Sequence, residues 1–159
     1  MSEHPFTHLD SAGHARMVDV TAKQPTVREA TAAGLVLCSH RVVAALRSGD
    51  VPKGDVLAVA PIAGIGAAKR TAELLPLAHV IGIHGVVVDI EVTDDGVQIA
   101  VTVRTADRTG VEMEALTAVA VAALAVVDMV KGIDKTTSIT DVRLIAKSGG
   151  RSGDWRREE

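Results

Sequence analysis

Two runs of alternating residues constrain this chain more than any other feature in it. Val86, Val88, Ile90 and Val92 alternate with Asp89 and Glu91, and Val97, Ile99, Val101 and Val103 alternate with Gln98, Ala100 and Thr102. Asp94-Asp95-Gly96 lies between them as a turn. Successive side chains of a strand point to opposite faces, so the pattern predicts an antiparallel hairpin with one apolar and one wet face.

Helical signals surround this hairpin. Ser39 is a suitable N-cap for Val42 to Leu46, with Gly49-Asp50 and Pro52 as the stop. Ile65, Ala68, Ala72 and Leu75 have helical spacing and end near Pro76. Thr109 and Glu112 read as a capping box that opens a helix running to about Gly132. Inside it, the apolar run from Ala115 to Val127 is broken by Thr117 and flanked by Glu114 and Asp128; at 13 residues it reads as a buried helix rather than a membrane span. Ile139 to Ala146 is predicted as a strand, and Arg16 to Val20 as a short β-inclined segment. Thr26 to Cys38 is ambiguous: Ala30, Ala32 and Ala33 favour helix, whereas Leu35-Val36-Leu37 favours strand. Interleaved helices and strands around an antiparallel hairpin predict an α+β fold with the helices packed on one sheet face. The chain divides into a flexible N-terminal arm (1–14), one α+β domain (15–154) and a charged tail (155–159), which suits the 159 residues.

Composition excludes several functions. Ala and Val occur 24 times each, while Phe6 and Trp155 are the only aromatic residues, so no stacking platform for single-stranded nucleic acid is expected. A net charge of −3 gives no overall field for DNA or an acidic membrane, so any anion site must be local. Cys38 has no partner for an internal disulfide, and the first residues carry neither a basic nor an apolar signal region; both fit a cytoplasmic protein. His4, His8, His14, His40, His79 and His84 lack ligand spacing, which argues against a structural zinc site.

Local chemistry is concentrated in a few places. Lys147-Ser-Gly-Gly-Arg-Ser-Gly153 offers flexible backbone amides and two cations, the ingredients of a phosphate cradle, although a solvated terminus has the same composition. It is not a P-loop, because its lysine precedes the glycines. Gly64-Ile-Gly-Ala-Ala-Lys69 lacks the third glycine of a dinucleotide loop and fits helix packing better. Asp128 and Lys131 share one helix surface. They read either as an ordinary exposed ion pair or as a partly desolvated pair suited to proton transfer.

Taken together, several stretches resemble the cyclic pyranopterin monophosphate synthase (MoaC) family of molybdenum cofactor biosynthesis. They are Thr7-His-Leu-Asp10 with Ala15-Arg-Met-Val-Asp-Val20, Lys53-Gly-Asp-Val56, Ile62-Ala-Gly-Ile65 with Ala67-Ala-Lys-Arg-Thr71, Gly110-Val-Glu-Met-Glu-Ala-Leu-Thr117, and Ala146-Lys-Ser-Gly-Gly-Arg-Ser-Gly-Asp154. The resemblance implies a ferredoxin-like antiparallel sheet, strand for Thr26 to Cys38, and a homohexamer built as a trimer of dimers with sites between subunits. It implies conversion of the cyclised dihydroguanosine triphosphate, (8S)-3',8-cyclo-7,8-dihydroguanosine 5'-triphosphate, to cyclic pyranopterin monophosphate with release of pyrophosphate. No cofactor is required by the sequence, and magnesium is possible with the triphosphate.

By the same resemblance Asp128 takes the catalytic aspartate position, with Lys53 and Lys131 as acid/base partners. Leu77, Ala78, His79, Met113 and Glu114 take substrate-contact positions. Arg28, Lys69 and Lys147 are further candidates for the triphosphate, whose roughly four negative charges call for several cationic donors. Glu114 and Asp128 lie about 21 Å apart along one helix, too far to flank one reacting atom, so its two ends are expected to serve a site completed by different subunits. One departure stands out. Leu77-Ala78-His79-Val80 replaces the family's usual Leu-Cys-His-Pro, which admits the alternative of a catalytically impaired paralogue that binds a nucleotide-like triphosphate.

Overall fold

The structure, a computed structural model, describes residues 7–158. Five strands, β1 (Thr26–Leu37), β2 (Gly85–Val92), β3 (Gly96–Asp107), β4 (Ser138–Ser148) and β5 (Trp155–Arg156), form one antiparallel sheet in the order β2-β3-β1-β4-β5. Four helices, α1 (His40–Ser48), α2 (Val56–Ala68), α3 (Thr71–Leu74) and α4 (Glu112–Val130), complete the α+β fold.

The predicted hairpin is present, with Val92 opposite Val97. Thr93 N donates to Gly96 O (2.8 Å), and Gly96 takes φ +145°. That dihedral is open to glycine and strained for other residues. Val97, Ile99, Val101 and Val103 are buried, as are Ala30, Ala32 and Val36 on β1, which settles the ambiguous stretch as strand. Central pairing overrides local alanine content, because β1 lies between β3 and β4 with both edges hydrogen-bonded. The opposite face carries Thr31 and Thr102, whose hydroxyls meet at 2.8 Å.

Helix α4 covers the inner sheet face. Its 19 residues exceed the predicted apolar run and would suffice in length to span a membrane, but half of its apolar window is buried within the fold. Val119 packs over Gly34, where an added Cβ would lie 2.7 Å from Val119 Cγ1. Helix α2 packs antiparallel on α4, with Gly64 against Ala118 and Ala122; an added Cβ there would stand 3.0 Å from Ala118 O. Gly64 of the Gly64 to Lys69 motif therefore serves close helix approach, as expected, whereas a Cβ at Gly66 would meet nothing within 4 Å.

Several local expectations need correction. Helix α2 starts at Val56, earlier than predicted, because the Asp55 carboxylate caps it by accepting from Ala58 N at 3.1 Å. It also stops earlier: the buried Thr71 hydroxyl donates to the Ala67 and Ala68 carbonyls and closes the helix before α3. Ser39 precedes α1, but its carbonyl rather than its hydroxyl does the capping, accepting from Val43 N at 3.0 Å. No capping box forms at α4. Its N-cap is Val111, and the Glu112 carboxylate turns to the Lys147 ammonium at 3.1 Å, an ionic partner that outcompetes a backbone amide. Residues 16–20 make no strand. Asp10 closes a turn upstream by accepting from Ala12 and His14 amides, both at 2.9 Å, while residues 1–6 of the predicted arm lie outside the described residues. From the predicted tail, Trp155 and Arg156 pair with Lys147 and Ala146 on the edge of β4.

Candidate active site

The site residues fall into two groups at opposite ends of α4. At its C-terminal end, Asp128 Oδ1 accepts from Lys131 Nζ at 2.6 Å and Asp128 Oδ2 accepts from Lys53 Nζ at 3.0 Å. Lys131 is the C-cap of α4, while Lys53 comes from the turn that precedes α2. The antiparallel packing of α2 on α4 thus brings together charges 75 residues apart in sequence. The negative end of the helix macrodipole opposes an aspartate here and favours both lysines. The hydrogen bonds and charges of Lys131 and then Lys53 hold the Asp128 carboxyl below its ordinary range. All three side chains are about half exposed, so within the single chain the pair is not desolvated.

At the N-terminal end, Leu77, Ala78, His79, Met113 and Glu114 line one cavity of about 580 Å³ together with Val18 and Lys23. His79 Nε2 lies 2.6 Å from Val18 O. A carbonyl only accepts, so Nε2 carries a hydrogen and donates it to Val18 O. Glu114 sits in the first turn of α4 and is only 4% exposed. Burial pushes its carboxyl up to about 6; the Glu112 charge adds to the rise, while its own backbone amide and His79 oppose it.

Around this cavity lie the cations. Lys147 lines neither this cavity nor the one adjoining it, but it pairs with Glu112, which lines the first, and donates at 2.9 Å to Ser152 Oγ, which lines the second. Arg28 Nε donates to Asp107 O at 3.1 Å and its Nη2 to Arg108 O at 3.3 Å, which fixes the guanidinium beside Gly150. Arg28, Lys23, Arg151 and Ser152 line an adjoining cavity of about 590 Å³, and Lys23 and Arg151 line both. Gly149, Gly150 and Gly153 all have positive φ, so the predicted cradle is a folded turn whose shape glycine permits. Lys69 lines neither cavity; it ends α2, which its antiparallel packing directs toward the Glu114 end of α4.

Sequence reasoning did not single out Lys23 or the Val18 carbonyl. Both lie in a segment without periodicity, where only the tertiary path of the chain shows what they face. Glu112 was assigned to capping and is instead the partner of Lys147. Among the described residues, no group of three or more His, Cys, Asp or Glu side chains is placed to hold a metal ion.

The sequence of the chain is similar to those of known proteins. The family model described as the MoaC family covers residues 17–150. A cyclic pyranopterin monophosphate synthase of Streptomyces coelicolor is 62% identical over 152 residues, spanning 96% of this chain and 89% of its own. One from a Nocardioides species is 60% identical over 162 residues, spanning 99% of both chains. The Chloroflexus aurantiacus synthase is 55% identical over 154 residues, spanning 96% and 94%.

Proposed function

The chain belongs to the MoaC family, and from that premise we propose that it is a lyase, a cyclic pyranopterin monophosphate synthase. It converts the cyclised dihydroguanosine triphosphate to cyclic pyranopterin monophosphate and pyrophosphate in molybdenum cofactor biosynthesis. The observation that carries the reading is the Lys53–Asp128–Lys131 cluster, in which one carboxylate holds two ammonium groups at 3.0 and 2.6 Å.

Rebuilding a purine-derived ring system into a pterin requires several proton transfers, and this cluster supplies both an anchored base and two acids. Asp128 stays ionised and fixes both lysines; a lysine that gives its proton to one substrate atom recovers one from another substrate atom or from solvent while it is held in place. Glu114, with its carboxyl raised to about 6, is suited to give and take a proton near neutrality. His79 keeps one ring nitrogen committed to Val18 and offers the other to substrate. The Ala78 and Val80 departures therefore leave the ring held in place, which favours activity over the impaired-paralogue alternative.

The cationic wall formed by Arg28, Lys147, Lys23 and Arg151 suits the triphosphate, with Lys69 as a further donor. A phosphate oxygen competes with Glu112 for Lys147, and charge-assisted donors of this kind stabilise the departing pyrophosphate. Any magnesium would arrive bound to the triphosphate.

The two ends of α4 are too far apart to act on one ring within a chain. We assign a complete site to two subunits, one supplying Lys53, Asp128 and Lys131 and the other the His79–Glu114 cavity, in a homohexamer arranged as a trimer of dimers. A cytoplasmic location suits the lone Cys38 thiol. Incubation of the pure protein with the cyclised triphosphate should release pyrophosphate and yield a pterin that fluoresces after oxidation, and Lys53→Ala and Asp128→Ala should abolish both. Absence of pyrophosphate with wild-type protein would overturn the reading.

A further inference from the structure

His79 lies in the segment that joins α3 to β2, between Leu75 and His84. Its upstream side is fixed by Ala78 N donating to Leu75 O at 3.1 Å. Downstream, Val80 is 90% exposed, so its side chain packs little against the described residues, and valine leaves φ free where a proline would restrict it. Restraint on that side must come from elsewhere.

It comes from the tip of β3. Side chains two residues apart on a strand point the same way, and Thr105 and Asp107 both reach this segment. Thr105 Oγ1 donates to Gly82 O at 2.5 Å, and Gly82 N donates to Asp107 Oδ2 at 3.2 Å. Gly82 is thereby gripped at both its carbonyl and its amide, which belong to the two peptide groups flanking its Cα. His84 adds two contacts: its amide donates to Arg104 O at 2.9 Å, and its Nδ1 accepts from Ala106 N at 3.2 Å. Thr105 is 2% exposed, so its hydroxyl bond is shielded from competing water. Asp107 Oδ1 also accepts from Arg108 N at 2.7 Å, which sets the carboxylate in one orientation. The same strand tip receives Arg28 through the Asp107 and Arg108 carbonyls, and Arg108 Nε donates to Lys23 O at 2.9 Å.

We propose that Thr105 and Asp107 are positioning residues for the reaction: they form a latch that fixes Gly82, and through it His79, relative to Arg28 and Lys23, the cations that the same strand tip holds. This rests on the assignment of His79 to the substrate site. The latch takes the place of the φ restriction that Val80 lacks, so a proline at 80 and the latch are alternative ways of holding one loop.

The test combines amide hydrogen exchange with steady-state kinetics on the full-length protein, using the cyclised triphosphate as substrate. In the Thr105→Val/Asp107→Ala double variant, exchange across 79–84 should accelerate at least tenfold and kcat should fall about tenfold with a smaller change in KM, as expected when a reacting group is misplaced by a fraction of an ångström. Thr105→Ser keeps the hydroxyl donor in place and should stay within about twofold of wild type. Adding Val80→Pro to the double variant should recover slow exchange and most of kcat, a rescue that a merely stabilising role would not produce. If the double variant does not fold, Asp107→Ala alone carries the same readouts. Unchanged exchange, faster exchange with unaltered kcat, or failure of Val80→Pro to rescue would each overturn the proposal. A wild-type protein without turnover would instead defeat the functional reading, leaving exchange to decide whether the latch exists.

Discussion

Glu114 and Asp128 stand on the same helix about 21 Å apart, one buried at its first turn and the other held between two lysines at its last. Their environments push the two carboxyls in opposite directions: burial raises Glu114 to about 6, whereas Lys131 and Lys53 lower Asp128. Two carboxyl groups with separated proton affinities suit an acid/base division of labour.

The pH dependence of stability follows from the first of these. Between 4.5 and about 6 the folded protein binds the Glu114 proton more tightly than the unfolded chain does. Stability from this group is therefore present at low pH and is lost as pH rises through that window, with a cost at pH 7 on the order of 1–2 kcal/mol. Glu114→Gln should raise Tm at pH 7 by about 2–6 °C and leave it nearly unchanged at pH 4.5. The same variant should lose activity by roughly tenfold or more, and any limb near pH 6 in its residual kcat/KM profile should vanish. Thermal scans and pH profiles check both effects; a limb that persists assigns that titration to another group.

Asp128→Asn should lower kcat by at least about a hundredfold, since it removes the charge that orients both lysines. Its Tm should shift little, because half-exposed ion pairs contribute only about 0–1 kcal/mol each. Lys53→Ala and Lys131→Ala combined should cost less than the product of their single effects, as expected for groups acting as one unit. Additive losses in a kinetic double-mutant cycle would show that the three residues act independently.

The proposed sharing of the site between subunits predicts complementation. His79→Ala and Asp128→Asn proteins, each inactive, should regain roughly a quarter of the wild-type rate after unfolding and refolding as an equal mixture, because half of the pairs are mixed and each mixed pair holds one intact site. Mixtures as inactive as their components would place the whole site within one chain.

Packing at Gly34 offers a test of the core without touching the site. Its missing side chain lets β1 approach Val119 of α4, and a Cβ there would stand 2.7 Å from Val119 Cγ1. Gly34→Ala should destabilise by about 1–3 kcal/mol, while Gly34→Ala/Val119→Ala should recover part of that loss. Chemical denaturation measures both, and a neutral single variant would mean that α4 shifts without cost.

Periodicity alone revealed the hairpin, because valines and isoleucines at period two have one stable arrangement, and it revealed α4 because no other structure buries so long an Ala/Val run. The order of charged and small residues along the chain also carried the family resemblance, and with it Lys53, Asp128, Lys131, His79 and Glu114. Periodicity did not reveal that Thr26 to Leu37 is a strand, which the resemblance alone implied, since that depends on two neighbours distant in sequence, nor that Glu112 pairs with Lys147 instead of capping its own helix. Tertiary structure alone decided that Lys53 reaches Asp128, that Val18 holds His79, and that Thr105 and Asp107 grip Gly82. Hydrophobic pattern is a local property that survives in one dimension. A hydrogen bond or ion pair between remote residues depends on distances of a few ångströms, and only the packed chain sets those.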